Sequence, residues 1–287
     1  MEGHTNSRLP ALFLSHGGGP CFFMDINDSV FKEFDRNSDA TRWYKQVAQQ
    51  VKITSPPSSA TDQYLWSKPK SILIISAHWE TKGSVCVTNQ LDHKELLYDY
   101  NGFPEFTYKL KYPAKGNPEL SKKVVDLLTK KNIKVNLDNK RNFDHGVFVP
   151  LLLVYPDCDI PVVEMSVNAN LDPKLHLEIG KALSSLRDEG ILIIGSGHCT
   201  HGKFSSSTNA RLFINALVNT LVNKTAEERF ETLLNWQKLP FAREAHSREE
   251  HLIPLHVVVG AAGTDKGFLL NEHMAGDLAL HSFSFTQ

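Results

Sequence analysis

Short apolar runs alternate with longer stretches of helical spacing along most of this chain. The short runs are rich in β-branched residues and are bounded by Gly, Ser or Pro, a pattern typical of buried strands. It predicts strands near residues 10–15, 71–76, 84–88, 133–136, 160–167, 190–195 and 279–285. Apolar residues that recur every three or four positions predict helices near residues 28–51, 117–131, 147–153, 172–188 and 247–262, and two more within 206–235.

This alternation predicts the α/β fold class, with a central mixed, mostly parallel sheet flanked by helices. The Pro/Ser-rich stretch 54–61 is interpreted as a loop rather than a linker, because the next strand resumes the same pattern. The chain has 287 residues, of which 41% are hydrophobic, so it can bury a large core. We therefore predict a single-domain sandwich over residues 1–287.

Three of the apolar runs end in histidine, with only small residues between. The runs read LPALFLSH to His16, SILIISAH to His78, and ILIIGSGHCTH to His198 and His201. In an open parallel sheet, ligands bind in the crevice outside the carboxyl ends of the strands. The pattern therefore predicts that several imidazoles meet at one edge of one sheet, as in a mononuclear metal site.

Two more of the 13 histidines stand where a helix is predicted to begin, His145 in Asp144-His145-Gly146 and His251 after Glu250. A catalytic metal needs about three protein ligands and an open position, and neutral imidazole is its commonest ligand. Asp144 is interpreted as a helix cap or as a carboxylate that orients an imidazole. Glu250, like its neighbour Glu249, is interpreted as a potential ligand or as a favourable charge at a helix start.

Other common site motifs do not fit. His251 and His256 are five residues apart, which excludes the HExxH pair of zinc proteases. The three glycines after His16 allow a close backbone approach, but neither GK[ST] nor GxGxxG accompanies them. Ser196 lies between two glycines without the base of a nucleophile motif.

The composition of the chain restricts the kinds of partner that the protein is expected to bind. Lys and Arg total 31 and Asp and Glu total 32, and no long basic run occurs, which argues against nucleic acid. No apolar stretch approaches the roughly 20 residues needed to cross a bilayer, and the first ten residues show no signal-peptide pattern. The four scattered cysteines suggest neither a disulfide framework nor a cysteine-based zinc site. We expect a cytoplasmic protein.

Taken in order, the motifs resemble the DOPA-dioxygenase type of extradiol ring-cleaving dioxygenases, a class that includes the catalytic subunit of protocatechuate 4,5-dioxygenase. The matching segments run from residue 9 to about residue 263 and read LPALFLSHGGGP, PKSILIISAHWET, YDYNGFPEF, DHGVFVPLLLVYP, IPVVEMSVN, GSGHCTHG and EEHLIPLHVVVGAAG. The resemblance implies an α/β sandwich around a mixed sheet. This agrees with the fold class that the apolar pattern predicts.

The resemblance also implies roles for single residues. His16, His78 and His251 would be the metal ligands, with His251 at a position where protocatechuate-type relatives use glutamate. His201 would be the acid/base, and His145 would orient or polarise substrate and oxygen. Tyr98, Tyr100 and Phe103 would line an aromatic pocket, although ordinary loop packing explains them equally well.

The implied activity is that of an iron(II)-dependent enzyme that opens a catechol ring with dioxygen. Fe(II) suits this chemistry because it is redox-active, whereas Zn(II) could fill the site without supporting ring opening. Plant pigment-forming relatives carry a Pro- and Asp-containing stretch where this chain has 202–205, GKFS, so the substrate is a DOPA-like or another catechol. A zinc-dependent hydrolase and a non-catalytic metal-binding interaction protein remain as alternatives. Whether His198 joins the site, the cleavage position and the oligomeric state are left open.

Overall fold

The computed structural model describes residues 8–27, 29–50, 68–93 and 95–287. Within these ranges the strands are β1 (Ala11–Ser15), β2 (Ser71–Thr81), β3 (Val85–Thr88), β4 (Val135–Asp138), β5 (Val162–Asn168), β6 (Ile191–Gly197), β7 (Lys266–Asn271), β8 (Met274–Ala275), β9 (Leu278–Ala279) and β10 (Ser282–Thr286). The α-helices are α1 (Asp39–Gln50), α2 (Pro118–Thr129), α3 (His145–Val154), α4 (Pro173–Leu183), α5 (Ser207–Val222), α6 (Ala226–Leu234), α7 (Ala242–Ala245) and α8 (Ile253–Ala262).

Eight strands form one mixed sheet in the order β4-β3-β5-β2-β6-β1-β10-β7. The pairs β3–β4, β2–β5, β2–β6 and β1–β6 are parallel, and the remaining three pairs are antiparallel. Strands β8 and β9 form a separate hairpin. The predicted α/β class, with a mixed, mostly parallel sheet flanked by helices, is confirmed.

The middle of the sheet places three strand ends side by side. Strand β6 lies between β1 and β2 and runs parallel to both. Ser196 is in register with Ser76 on one side, and Gly197 is in register with Ser15 on the other. The residues that follow β1 and β6, and the last part of β2, therefore emerge at the same edge of the sheet.

Helices cover both faces of this sheet, which is why its central strands are almost continuously apolar. Successive side chains of a strand point to opposite faces. On β1, Phe13 packs into the cluster that includes α4 and α8, whereas Leu12 and Leu14 pack into the cluster that includes α1 and α3. The site edge is thus built on strands that are held from both sides.

The predicted helix near 28–51 is wrong in its first half. A 3-10 helix over Val30–Phe34, capped by the Ser29 hydroxyl, is followed by a turn before α1 begins. The Asp35 carboxylate accepts a hydrogen bond from the Asn37 backbone N–H at 2.8 Å, and this local bond stops the helix.

Asp25 and Asn27, polar residues that could cap a helix near residue 28, start no helix. Asp28 lies outside the described residues, as does the loop predicted at 54–61. A short polar residue before an apolar stretch is a weak signal, because the same side chains also stabilise turns.

Near the carboxyl terminus, the predicted helix 247–262 begins only at Ile253, with Pro254 in its first turn. The predicted strand 279–285 is divided between β9 and β10. Strand β7 was not predicted. It lies at the edge of the sheet and is half exposed, so it lacks the continuous apolar run of the central strands.

Candidate metal centre

The fold brings the predicted histidines to one edge of the sheet. His16 directly follows β1, His78 lies in the last part of β2, and His201 follows β6. His145 is the first residue of α3, and His251 stands two residues before α8. All five line one cavity of about 540 Å³.

Three ring nitrogens meet at the floor of this cavity. The Nε2 atom of His78 lies 3.1 Å from Nε2 of His16 and 3.2 Å from Nε2 of His251. Two nitrogens about 2.1 Å from one ion are separated by about 3.0 Å at a right angle and about 3.4 Å at a tetrahedral angle. Both measured distances fall in this interval, so the three histidines fit a shared cation.

The other nitrogen of each ring contacts a side-chain oxygen. Nδ1 of His251 lies 2.9 Å from Glu250 Oε1, and Nδ1 of His78 lies 3.3 Å from Asp99 Oδ2. Nδ1 of His16 lies 3.0 Å from the hydroxyl oxygen of Ser196. Such partners fix the proton on Nδ1 and leave the Nε2 lone pair free for a metal.

The position of the ring proton is defined most clearly for His16. The Ser196 hydroxyl donates to the backbone carbonyl of Gly146, so its oxygen is left to accept a hydrogen bond from Nδ1–H of His16. His16 is 1% exposed and no water can compete for this proton. Its Nε2 therefore carries a lone pair that faces the lone pairs of the other two rings, an arrangement that a cation would stabilise.

The three rings are also held in the neutral form that binds metals. Burial, together with the neighbouring histidines, lowers the pKa of His78 to about 4 and that of His251 to about 3. Burial, followed by the nearby His198, lowers the pKa of His16 well below its usual value. At neutral pH no proton has to leave before a cation binds.

Each of the two remaining histidines shares a carboxylate with one of these rings. Asp99 Oδ1 accepts from Nδ1 of His145 at 2.7 Å and from its backbone N–H at 2.9 Å, while Oδ2 faces His78. Glu250 Oε1 lies 3.4 Å from Nδ1 of His201 and also holds His251. The rings of His201 and His251 stack, with their centroids 3.6 Å apart.

Both carboxylates are held in the charged form. Burial raises the pKa of Asp99, but its hydrogen bonds and electrostatic interactions with His145 and His78 lower it more, and the net pKa lies below the usual value. Hydrogen bonds from His201 and His251 outweigh burial in the same way and lower the pKa of Glu250.

His198 has a different place. Its Nε2 lies 3.0 Å from the carbonyl oxygen of Gly17, so it donates a hydrogen bond to the glycine loop. Its ring centroid is 4.4 Å from that of His16, but His198 is absent from the groups of potential ligands found among the described residues. It supports the loop beside the three-nitrogen group.

One interpretation of the sequence made Asp144 the cap of α3, and this interpretation is wrong. Its carboxylate accepts from the Ser76 hydroxyl at 2.8 Å and from Arg141 at 2.7 Å, and the N–H of His145 is satisfied by Asp99. Glu249, the other acid weighed as a ligand, pairs with Arg243 at 2.7 Å.

Two glycines are required by the geometry of the site. Gly17 has a φ of +76°, and a Cβ there would lie 2.5 Å from the Phe22 ring. A Cβ on Gly197 would lie 2.1 Å from the carbonyl oxygen of His251, which itself accepts a hydrogen bond from the His198 N–H at 2.9 Å. The close approach at Gly197 holds His251 against the end of β6.

The aromatic residues of the 98–106 loop stand behind the site. The hydroxyl groups of Tyr98 and Tyr100 donate to backbone carbonyls of Leu110 and Thr107, respectively. Phe103 packs behind Gly19. None of the three aromatic residues lines the cavity, so ordinary loop packing is the better explanation for them.

Sequence reasoning missed Asp99 and did not foresee the role of Ser196. Asp99 lies inside the loop YDYNGFPEF, in which only the aromatic residues were considered as candidate site residues. A single acid between two tyrosines has no spacing that predicts contact with a histidine 46 positions further along the chain. Ser196 was recognisable only as a polar residue near the end of a buried strand.

Comparison with known proteins agrees with this site and fold. The family described as "Catalytic LigB subunit of aromatic ring-opening dioxygenase" matches residues 44–282. A 4,5-DOPA dioxygenase extradiol of Beta vulgaris is 44% identical over 232 residues, which cover 76% of this chain and 84% of that protein. A 4,5-DOPA dioxygenase extradiol-like protein of Schizosaccharomyces pombe is 33% identical, covering 90% of this chain and 86% of the relative.

Among solved structures, the crystal structure of uncharacterized protein JW3007 from Escherichia coli K12 superimposes with a TM-score of 0.69 and 28% sequence identity. The match covers 97% of this chain and all of that one. It extends the similarity to the whole sheet and its helices.

The chain belongs to the LigB family of aromatic ring-opening dioxygenases. The resemblance drawn from the motifs is confirmed, and so is the prediction of an extradiol ring-opening dioxygenase as the enzyme class. The family is metal-dependent, which agrees with the three-histidine group. Among the described residues, no helix is both long and apolar enough to cross a membrane.

Proposed function

We propose that this protein is a non-haem iron(II) enzyme that opens the ring of a catechol with dioxygen, with His16, His78 and His251 as the metal ligands. The observation that carries the proposal is the meeting of three Nε2 atoms at 3.1 and 3.2 Å, each on a ring whose Nδ1 contacts an oxygen. Three neutral ligands on one side of an ion leave its other positions open.

When bound, Fe(II) would supply a redox-active centre that holds the catechol oxygens and dioxygen next to each other, so that electrons pass from the ring to oxygen. The protein itself binds the substrate, moves protons and restricts water. His16 and His251 are 1% and 5% exposed, so only the cavity side of the site is open to solvent.

His201 is proposed as the acid/base. Its side chain is 46% exposed at the cavity, compared with 22% for His78 and 6% for His251, and its ring is fixed by stacking on His251. With Nδ1–H directed to Glu250, the Nε2 atom is free to accept a proton from a catechol hydroxyl and to return it later.

His145 is proposed to polarise the substrate or oxygen. The Asp99 carboxylate holds its Nδ1–H at 2.7 Å, and the ring lines the cavity with its centroid 3.9 Å from that of His78. A doubly protonated His145 keeps its bond to Asp99 and donates from Nε2 to negative charge that develops on the substrate.

The test is reconstitution with Fe(II) under anaerobic conditions, followed by oxygen uptake with a panel of catechols. We expect oxygen consumption and yellow semialdehyde products with iron, and neither with Zn(II). A protein that binds iron but consumes no oxygen with any catechol would overturn the proposal.

Variants separate the ligands from the acid/base. His16→Ala and His78→Ala are expected to lose the metal, which elemental analysis measures directly. His201→Ala is expected to retain most of the iron but lose about 10²- to 10⁴-fold in kcat, as is typical for the loss of general acid–base catalysis. Full activity in His78→Ala would contradict the assignment of the ligands.

The single-domain organisation over residues 1–287 and the cytoplasmic location stay predictions. Limited proteolysis of the metal-loaded protein tests the first, since one stable fragment of nearly full length is expected. Fractionation of the source cells tests the second.

A further inference from the structure

The described lining of the cavity above the three histidines contains an acidic residue but no basic residue other than histidine. Among the described residues that line this cavity, Asp277 is the only ionisable residue apart from histidine, and none is Lys or Arg. The rest of the outer wall is formed by the glycine loop and by apolar side chains, including Val30, Phe31 and Leu278. Within the described part of this lining, Asp277 therefore supplies one acidic side chain and no residue supplies a fixed cation.

Nearby arginines cannot supply a cation because they are already paired. Arg248 makes two contacts with the Glu80 carboxylate and lies 3.4 Å from Glu250. Arg141 is held behind His78, between Asp144 and the buried Glu164. Neither arginine lines the cavity.

Asp277, in contrast, lines the cavity, and its carboxylate is not engaged by any residue of the described ranges. It occupies the two-residue turn between β8 and β9, after Gly276, whose φ is +59°. The Thr200 hydroxyl donates to the Asp277 carbonyl at 3.1 Å and accepts from the Ala279 N–H at 2.8 Å, which ties the turn to the segment before His201. Among the described residues, nothing forms a hydrogen bond or an ion pair with the carboxylate itself.

We propose that the cavity selects catechols whose ring substituent ends in a cation, and that Asp277 is the counter-ion that determines this preference. The inference rests on the proposed function, since the catechol oxygens must be held at the three histidines. A short alkyl chain would pass the apolar side chains of Val30, Phe31 and Leu278 and place an ammonium group at the turn. A carboxylate in the same place would face Asp277 without a partner.

The first experiment measures oxygen uptake by the Fe(II)-loaded protein with three probes that differ in charge: dopamine, 4-methylcatechol and 3,4-dihydroxyphenylacetate. We expect kcat/KM to fall in that order, with about a tenfold difference between the first and the last, the size of one charge-assisted hydrogen bond. Equal values, or a preference for the acid, would overturn the proposal while leaving the proposed function intact.

Asp277→Asn tests the assigned residue. The ratio of kcat/KM for dopamine to that for 4-methylcatechol is expected to fall to about one, because the amide keeps the shape of the side chain but not its charge. The matched control is Glu272→Gln, which removes one exposed negative charge just before the same hairpin but outside the cavity. It is expected to keep the wild-type ratio, and an equal loss in both variants would show that only net charge matters.

A second readout does not depend on turnover. Zn(II)-loaded protein supports no ring opening, so calorimetry can measure the dissociation constants of dopamine and 3,4-dihydroxyphenylacetate at equilibrium. Tighter binding of dopamine that is lost in Asp277→Asn supports the proposal even if no catechol consumes oxygen, an outcome that would instead defeat the proposed function. Equal dissociation constants would overturn the assignment of Asp277.

Discussion

At the scale of single residues, the site is organised by two carboxylates that each hold two histidines. Asp99 joins the proposed ligand His78 to His145, and Glu250 joins the proposed ligand His251 to His201. Each acid therefore orients one ring for the metal and one for the reaction. Removing either acid is expected to weaken both functions together.

Glu250→Ala tests this double role. We expect metal affinity to fall about 10- to 100-fold, as is usual when the partner of a ligating histidine is lost, and kcat to fall further because His201 loses its orientation. Competition with a chelator measures the first effect, and oxygen uptake at saturating metal measures the second. Glu249→Ala, which removes the adjacent acid bound to Arg243, is the control. Unchanged affinity in Glu250→Ala would contradict the assigned role.

A second pair of acids lies beneath the site and shares one arginine. Asp144 contacts Arg141 at 2.7 Å, whereas the fully buried Glu164 on β5 lies 3.5 Å from the same guanidinium. Burial, followed by the charge of Asp144, raises the pKa of Glu164 well above its usual value. One guanidinium does not neutralise two buried carboxylates, so Glu164 is the one that carries a proton.

Glu164→Gln follows from this assignment. A folded-state pKa above the unfolded value means that folding takes up a proton at neutral pH, so stability falls as pH rises from the unfolded pKa of Glu164 toward its folded pKa. Gln mimics the protonated acid, and we expect it to raise the free energy of unfolding at pH 8 by about 1.4 kcal/mol for each unit of raised pKa. Urea unfolding at pH 8 and pH 5 measures the difference, which should nearly vanish at pH 5.

The control for this variant is Glu178→Gln, on the exposed surface of α4, which is expected to change little at either pH. If Glu164 were ionised and paired with Arg141, Glu164→Gln would be less stable than the wild type at pH 8. That result would reverse the assignment of the proton.

At the scale of elements, the sequence predicted the strands that are buried on both faces and the residues at their ends. Strands β1, β2 and β6 are continuous apolar runs, and the order of the chain alone placed His16, His78 and His201 after or near the ends of such runs. Edge strand β7 and the 3-10 helix over Val30–Phe34 were missed, since half-exposed segments lack a clear period.

The residues around the three ligand histidines could not be predicted from the sequence pattern in the same way. Asp99 comes from a loop, and Glu250 precedes α8 by three residues, so their approach to the histidines depends on tertiary packing and not on local pattern. The tautomer of His16 depends on Ser196, whose own proton is directed to Gly146 on α3. Such three-element contacts have no signature in a single sequence.

The contact between β6 and the start of α8 can be tested through Gly197. A Cβ in Gly197→Ala would press on the His251 carbonyl, only 2.1 Å away, and we expect a loss of about 1–3 kcal/mol in stability, as overpacking usually causes. Because His251 would move, metal affinity is expected to fall as well. Chemical unfolding and chelator competition measure the two effects.

Gly180→Ala is the matched control for that variant. It presses a Cβ against the Val257 carbonyl, 2.0 Å away on α8 and six residues after His251 along the chain. It should lower stability to a similar extent while leaving metal affinity nearly unchanged. If both variants lose metal equally, the effect is general loosening of α8 and not displacement of His251.

At the scale of the whole molecule, neutral buried histidines extend well beyond the site. Burial lowers the pKa to about 4 at several positions on different elements, namely His78, His93, His176, His246, His256 and His281, and to about 3 at His251. In the unfolded chain each of these rings would titrate near 6.5. Acid should therefore act on the entire fold and not only on the metal site.

The sign of the effect follows from linkage. Between pH 6.5 and about 4 the unfolded chain binds protons at these histidines, whereas the folded protein does not. The free energy of unfolding therefore falls as pH falls, by about 1.4 kcal/mol per pH unit for each fully titrating histidine. Several such groups together are expected to unfold the metal-free protein before pH 4. The raised pKa of Glu164 opposes this trend, but it is one group against several.

Urea unfolding of metal-free protein at pH 7.5, 6.5, 5.5 and 4.5 measures this dependence. We expect a nearly flat stability above pH 7 and a steep loss below 6.5. Zn(II) should raise stability over this whole range, because protons do not compete for the three ligand rings. In the folded protein the pKa is about 4 for His78 and about 3 for His251, and that of His16 is lowered well below its usual value. His281→Asn, which removes one buried ring outside the site, should reduce the slope by about one proton. A free energy of unfolding that stays constant from pH 7.5 to 5 would mean that these rings bind protons in the folded protein as readily as in the unfolded chain, and the lowered pKa values of the three ligand histidines would then be wrong as well.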